Sequence, residues 1–263
     1  LEPVIESAGC LSVVIPAYNE ESTLENVVHE VLTLPQVLEV IVVDDGSSDG
    51  TPAVCERLAR LPKVRTIRMP RNGGKCAALK AGFAVSTGEI VIVQDADLEY
   101  DPAEIPEVIQ PIVEGHADVV YGSRFLVRRA ARVLYFYHYL ANKGLTLLSN
   151  LLTNVNFTDV ETGYKAFRGS IIRNMVIVSE GFGIEIEVTA KIAKLGCAIY
   201  EVPISYHGRT YEQGKKIGLS DGVAALWYIV RFNLFCDLKS SFVRLPTDIV
   251  KPAPVPARRS VGM

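Results

Sequence analysis

The stretch E-I-V-I-V-Q-D-A-D-L-E-Y-D, residues 89–101, constrains the chain most. Ile90 to Val93 form an apolar, β-branched run. That is a strand signal, and a strand apolar on both faces belongs between two layers. The run delivers Asp95 and Asp97 at its end. In an open α/β sheet the C-terminal edge of the strands is where ligands bind. Carboxylates at this spacing suit a hard divalent cation that keeps some waters and takes phosphate oxygens as further ligands. A D-x-D alone is also a common acidic turn, so its weight depends on its neighbours.

Those neighbours repeat one pattern. Leu11 to Ile15 reads as a strand halted by Pro16, and a helix follows from near Glu21, with Leu24, Val27, Val28, Val31 and Leu32 at helical spacing. Val40 to Val43 is a second strand, running into D-D-G-S-S-D-G-T (44–51) and a helix that Asp49 or Thr51 can cap. Val64 to Ile67 is a third. Gly73-Gly74-Lys75 opens a helix through Val85, before the strand at 90–93. Strand and helix alternate with short links, which predicts an α/β fold with a mostly parallel central sheet between helices.

Beyond it, Pro102 to Glu114 reads as a proline-interrupted helix and Asp118 to Tyr121 as a strand ending in Gly122-Ser123-Arg124. Strands are predicted at 163–167 and 198–203 and helices at 183–195 and 223–236. The expected organisation is a lead-in at 1–10, one domain over 11–236, and a disordered Pro- and Arg-rich tail over 237–263. Helices are also expected at about 125–157 and 219–236.

A net charge of -3 argues against bulk capture of nucleic acid. The five cysteines form no C-x-x-C pair, which points away from zinc and disulfide scaffolds, and a reducing, cytoplasmic setting is expected. No apolar run reaches the ~18 residues of a membrane span. The strand ends at 16–20, 44–49 and 94–99 gather Glu20, Asp44, Asp45, Asp95, Asp97 and Glu99 at one edge, a repulsive set that needs a cation or protons. No G-x-G-x-x-G follows the first strand, which removes a dinucleotide-binding dehydrogenase, and no Walker A motif is present.

P-A-Y-N-E (16–20), D-D-G-S-S-D-G-T (44–51), R-N-G-G-K-C-A-A-L (71–79), D-A-D-L-E-Y-D-P (95–102) and G-S-R-F (122–125) resemble, in order and spacing, the family 2 glycosyltransferases of the GT-A fold. The resemblance covers about residues 10–236 and is nearest to the dolichyl- or polyprenyl-phosphate mannose and glucose synthases. It implies an inverting transfer of a hexose from a nucleotide-diphosphate sugar to a polyprenyl phosphate, with Mg²⁺ or Mn²⁺. Pro16, Ala17, Tyr18, Glu20, Val43, Asp44 and Asp45 would then serve the nucleoside end. Lys75 and Ala96 would join the nucleotide-sugar contacts, Asp95 and Asp97 would hold the diphosphate with the metal, and Arg124, with Arg209, Lys215 and Lys216 from a basic loop, are the candidates to clamp phosphate oxygens. Asp95, Asp97 and Glu99 would hold the metal; many of these synthases carry Gln where this chain has Glu99. Asp97, Arg124 and Asp159 are the expected catalytic residues.

Arg124, Arg132, Asn142 and Lys143 are the expected acceptor contacts. The aromatic and Leu-rich segment 133–153 reads either as ordinary core or as an amphipathic surface meeting a lipid, with Arg128, Arg129 and Arg132 toward anionic headgroups. The second version makes the protein peripheral on the cytoplasmic face of a membrane. Two alternatives stay open: a transferase using a soluble or glycan hydroxyl, which needs a general base, and an inactive nucleotide-sugar-binding protein.

Overall fold

A computed structural model describes residues 9–126, 135–181, 183–208 and 219–250. Seven strands form one sheet: β1 (Leu11–Ala17), β2 (Val37–Asp44), β3 (Val64–Arg68), β4 (Ile90–Val93), β5 (Val119–Ser123), β6 (Lys165–Arg168) and β7 (Ile199–Pro203). Their order is β3-β2-β1-β4-β6-β5-β7. The period-2 side-chain alternation splits the core into two layers. Val13, Ile15, Val40, Val42, Ile90 and Ile92 face α1 (Leu24–Leu32), α2 (Thr51–Leu58) and α4 (Ile105–Val113). Val14, Ile41, Val43, Val91 and Val93 face α3 (Lys75–Val85) and, later in the chain, α7 (Ile184–Leu195).

Pro16 does not end β1. Val14 carbonyl accepts from Gln94 N on the β4 side, and the β1–β4 pairing stops at Val14 and Val93. Two residues on, the missing N–H of Pro16 faces that same unpaired side, so no ladder bond is lost. The strand continues to Ala17, whose carbonyl accepts from Asp45 N. The chain winds outward from β1 through β2 to β3, then returns to place β4 on the other flank of β1. β1 and β4 therefore bracket the reversal point where open α/β sheets bind ligands.

β6 is antiparallel to both β4 and β5. The chain leaves β5 at the ligand edge, runs through α5 (Phe136–Thr153) and re-enters the sheet from that same edge, so β6 must run backwards. In α5 the buried residues are Thr146 and Ser149, while Phe136, Tyr137, Leu147 and Leu151 are exposed. The ordinary-core reading of this segment is therefore incorrect. α5 packs through Leu145 and Leu148 on α8 (Leu219–Leu234) and α7, around Val160, Ile186, Ala225 and Ile229.

The disordered-tail expectation is also incorrect for residues 237–250. Asp237 caps α9 (Leu238–Ser241) through Ser240 N at 2.6 Å, and Phe242 is buried and bridges Met175. Val250 N donates to both oxygens of Asp118 at 3.0 Å. Composition registered the prolines and arginines, whereas one buried phenylalanine and a chain of backbone hydrogen bonds decide the packing. Residues 251–263 and 1–8 lie outside the described residues.

Candidate active site

Three strand ends are stapled into one rim. Asn19, at φ 57°, donates from its backbone to Ser47 Oγ at 3.0 Å and accepts from Ser48 N at 2.9 Å. Glu20 N donates to Thr51 Oγ1 at 2.9 Å. Gly73 N donates to Asp45 Oδ1 at 2.9 Å. Gly46 sits at φ +71°, where a Cβ would stand 2.6 Å from the Arg71 carbonyl carbon, so only glycine lets the two loops approach.

The expected nucleotide-sugar set divides along this rim. Tyr18 and Glu20 reach its exposed side, and Pro16 lies half-buried behind them. Val43, Ala17 and Ala96 bury their side chains, leaving backbone atoms to face the edge. Asp44 is buried too; it accepts from Ser47 N at 2.9 Å and faces Arg68 Nε at 3.5 Å, so it shapes its own loop. Burial pushes the Asp45 carboxyl up, against the opposing pull of the Gly73 and Gly74 N–H groups, and the Asp44 charge adds to the rise. Arg209, Lys215 and Lys216 lie outside the described residues.

At the end of β4 the carboxylates are held by different partners. Lys75 Nζ lies 2.8 Å from Asp95 Oδ1 and 3.0 Å from Oδ2, and 3.6 Å from Glu185 Oε1 on α7. Lys75, expected among the nucleotide-sugar contacts, here neutralises Asp95. Burial works against its charge, but Asp95 and then Glu185 override it and raise its pKa. Leu98 takes φ 61°, uncommon for a bulky side chain, and Glu99 N donates to Asp97 Oδ1 at 3.1 Å across that turn. Glu99 Oε2 accepts from Tyr206 Oη at 2.7 Å.

The donor chemistry of Asp95, Asp97 and Glu99, all carboxylate oxygen, fits a hard divalent ion that also takes diphosphate oxygens. Among the described residues, no three such groups already stand together as a complete metal cage. The fit is thus to an ion arriving with a phosphate ligand. Asp97 and Glu99 would hold it directly, and Asp95 would do so while shared with Lys75.

The expected acceptor residues come together around Asp159. Arg124 Nε donates to Asp159 Oδ2 at 2.7 Å, Nη2 to Oδ1 at 2.8 Å, and Arg124 N to Oδ2 at 3.2 Å. Asn142 Nδ2 donates to Oδ1 at 3.2 Å, and Lys143 Nζ to Thr158 carbonyl at 2.9 Å. The Arg124 guanidinium lies 5.2 Å from the Tyr206 ring centre and Lys143 Nζ 4.2 Å from that of Phe125. Burial alone would raise the Asp159 carboxyl; the Arg124 charge overrides it and holds the group below the usual range. Asp159 is fully buried, and both its oxygens accept from Arg124, with Asn142 also on Oδ1, so in this structure it fixes the guanidinium. Arg132 lies outside the described residues.

Sequence reasoning missed the groups between these two halves. Glu161 is pushed up to about 7 by burial and by the charge of Glu185, and burial pushes Lys165 down to about 8. Lys165 Nζ is held by the carbonyls of Val160 and Thr162. Gly163 N donates to Tyr100 Oη at 3.0 Å, and Tyr100 packs between Tyr164 and Tyr206. A cavity of about 20 Å³, lined by Gly163, Lys165, Glu185 and apolar side chains, lies behind them. The available signal was a lysine opening a short strand just after an acidic turn.

Comparison with known proteins agrees with this arrangement. The family model described as Glycosyl transferase family 2 matches residues 12–175. The chain is 31% identical over 214 residues to the dolichol-phosphate mannosyltransferase of Pyrococcus furiosus, covering 79% of this chain but only 59% of that protein. It is 30% identical over 214 residues to polyprenol monophosphomannose synthase of Mycolicibacterium smegmatis, covering 78% of this chain and 80% of that one. A solved structure of glucosyl-3-phosphoglycerate synthase from Mycobacterium tuberculosis, in complex with Mn²⁺, UDP and glucosyl-3-phosphoglycerate, superposes with a TM-score of 0.66 at 22% identity, covering 85% of this chain and 79% of that one. At that identity the likeness speaks for the fold alone. With its mostly parallel sheet, its carboxylate turn at the reversal point and these matches, the chain belongs to glycosyl transferase family 2 and has the GT-A fold.

Proposed function

We propose that this chain is an inverting, metal-dependent hexosyltransferase that moves mannose or glucose from a GDP- or UDP-sugar to a polyprenyl phosphate. The observation that carries this reading is the Arg124–Asp159 pair, with Asn142 and Lys143 of α5 beside it, next to the exposed Phe136, Tyr137, Leu147 and Leu151 of the same helix. A cationic pocket next to an exposed apolar helix suits an anionic head on an apolar tail. The names of the Pyrococcus and Mycolicibacterium relatives support the same acceptor class.

The donor diphosphate would lie along Asp97, Glu99 and the rim of Tyr18, Glu20 and Asp45. A divalent ion there would act as Lewis acid on the departing diphosphate. Arg124, held rigid by Asp159, keeps free N–H groups for an acceptor phosphate oxygen. A phosphate monoester is largely ionised near neutral pH, so its oxygen attacks the anomeric carbon without a general base. Attack opposite the leaving group inverts configuration.

No described helix is long and apolar enough to cross a membrane. The proposed attachment is peripheral, on the cytoplasmic face, through α5 and α8. The test compares polyprenyl phosphate, free polyprenol and soluble phosphorylated acceptors with GDP-mannose and UDP-glucose. Product from polyprenyl phosphate, lost in Arg124→Ala, supports the reading. Equal transfer to free polyprenol, or transfer restricted to soluble acceptors, overturns it.

A further inference from the structure

The two cations assigned to the acceptor are set on one short turn. Asp159 takes the Arg124 fork, and the Thr158 carbonyl accepts from Lys143 Nζ at 2.9 Å. Adjacent residues therefore fix Arg124 and Lys143. Thr158 and Asp159 lie in neither a strand nor a helix, so their own backbone groups need partners from elsewhere.

Those partners come from β7. Glu201 lies beside Tyr121 in the parallel β5–β7 register. Phe157 packs on the Tyr121 ring with centres 4.8 Å apart, which carries Thr158 over Glu201. Thr158 N donates to Glu201 Oε1 at 2.9 Å and Oε2 at 3.0 Å, and Thr158 Oγ1 donates to Oε1 at 3.1 Å. Asp159 N reaches the same oxygen at 3.4 Å. Two successive backbone N–H groups converging on one anion make a small anion-holding concavity, here filled by the protein's own side chain.

The hydroxyl directions follow from this. An ionised carboxylate only accepts, so the Thr158 hydroxyl proton points to Glu201. Ser123 Oγ, 2.6 Å from Thr158 Oγ1, is then the donor in that pair. Ser123 Oγ accepts in turn from Phe125 N at 3.1 Å. The residues on either side of Arg124 thus hang on the same carboxylate as the turn that grips its guanidinium.

We propose that Glu201 is the positioning residue of the acceptor site. By holding the N–H groups of Thr158 and Asp159, it sets the spacing and orientation of Arg124 and Lys143, which receive the acceptor phosphate. This rests on the acceptor reading above. The Glu201 carboxylate is turned to the backbone of the turn, so it acts through the two cations and not on substrate. Glu201→Gln keeps the shape of the side chain. Whichever way the amide is turned, one of the two oxygens that accept from Thr158 N becomes a donor facing it.

The experiment measures calorimetric affinity for farnesyl phosphate, for glycerol 3-phosphate, and for GDP and UDP with Mn²⁺. The proteins are wild type, Glu201→Gln, Thr158→Val and Thr158→Ser, with the melting temperature of each. Glu201→Gln is expected to weaken phosphate binding about tenfold, the scale of a hydrogen bond to a charged group, and to leave nucleoside-diphosphate affinity unchanged. Thr158→Val removes the hydroxyl and keeps both N–H groups, so it should cost about threefold; Thr158→Ser should regain that loss. In turnover the change should fall on the acceptor KM and not on the donor KM. Equal loss of phosphate and nucleoside-diphosphate affinity makes Glu201 a residue of the fold only and overturns the proposal. Unchanged phosphate affinity beside a lower melting temperature does the same. Where Glu201→Gln does not fold, the Thr158 pair decides, and equal phosphate affinity in Thr158→Val and Thr158→Ser overturns it. If wild type binds glycerol 3-phosphate alone, the lipid drops out of the acceptor reading, while the same selective loss in Glu201→Gln still supports the positioning role. Binding of neither phosphate removes both.

Discussion

Arg124 and Asp159 meet as a two-pronged ion pair, with Nε 2.7 Å from Oδ2 and Nη2 2.8 Å from Oδ1. The arginine side chain is 14% exposed and the aspartate 0%. The aspartate fixes the guanidinium plane, and the Tyr206 ring backs it at 5.2 Å. What remains for a ligand is the outer edge of the fork, presented in one orientation.

Replacing Asp159 with Ala is expected to cost about 3 kcal/mol of stability, because it leaves a buried guanidinium unpaired. The Asp159 carboxyl is held below its ordinary value, so its contribution is fully present above the unfolded value of about 3.9 and is lost as pH falls through the lower folded value. Urea unfolding of wild type and Asp159→Ala from acid to neutral pH checks both. Their stability difference should be constant near neutrality and shrink only in the acid range; a difference independent of pH throughout would contradict the assignment.

Asp97→Ala is expected to abolish the rise in melting temperature that a nucleoside diphosphate with Mn²⁺ gives wild type, while leaving the unliganded melting temperature nearly unchanged. Asp97 accepts a hydrogen bond from Glu99 N across its turn, and losing that bond should cost the fold about 1 kcal/mol. Loss of a main electrostatic contact in the transition state should lower turnover at least about a hundredfold. Metal-dependent stabilisation surviving in Asp97→Ala would place the ion elsewhere.

The β1–β4 half of the fold was legible because its signals are local. Apolar runs, turn residues and short links locate the strands and helices up to β4, and the carboxylate turn follows from where β4 stops. The exceptions are tertiary. Pro16 reads as a stop unless one knows that β4 has ended on its N–H side. Lys75 reads as a nucleotide-sugar contact until α3 is seen to start against Asp95. Helical spacing in α5 locates an apolar stripe without saying that Thr146 and Ser149 take the inside. Tyr206 and Glu99 are far apart in sequence, and no periodicity links them before the 2.7 Å contact is seen.

Phe242→Ala is expected to destabilise the protein by about 3 kcal/mol, the usual scale for emptying a buried aromatic site. Phe242 is 5% exposed and packs in the same layer as Met175, Ile172 and Phe167. The control is Arg244→Ala, an exposed neighbour with no such packing. Denaturant midpoints for the two variants separate a packed strap from a loose tail. Equal midpoints would return residues 237–250 to the disordered class expected from composition.

Trp227 is the one tryptophan in the sequence, and it stands 59% exposed on α8. Phe136, Tyr137, Leu147 and Leu151 are exposed on α5, which packs on α8. Exposed apolar groups in this number mark a surface that meets something apolar. If that is a membrane carrying the acceptor, Trp227 emission should move to shorter wavelength when vesicles containing anionic lipid are added. The shift should weaken at high salt, because headgroup attraction is screened. Leu147→Ser with Leu151→Ser removes two apolar contacts of about 1 kcal/mol each when partly buried, so vesicle partitioning should fall by about thirtyfold. Nucleoside-diphosphate binding should not change, since neither leucine approaches the strand-end rim. An emission shift that appears with protein concentration alone, and not with vesicles, would mean that a second copy of the chain covers α5 and α8. The acceptor phosphate would then have to reach Arg124 without a bilayer beside it.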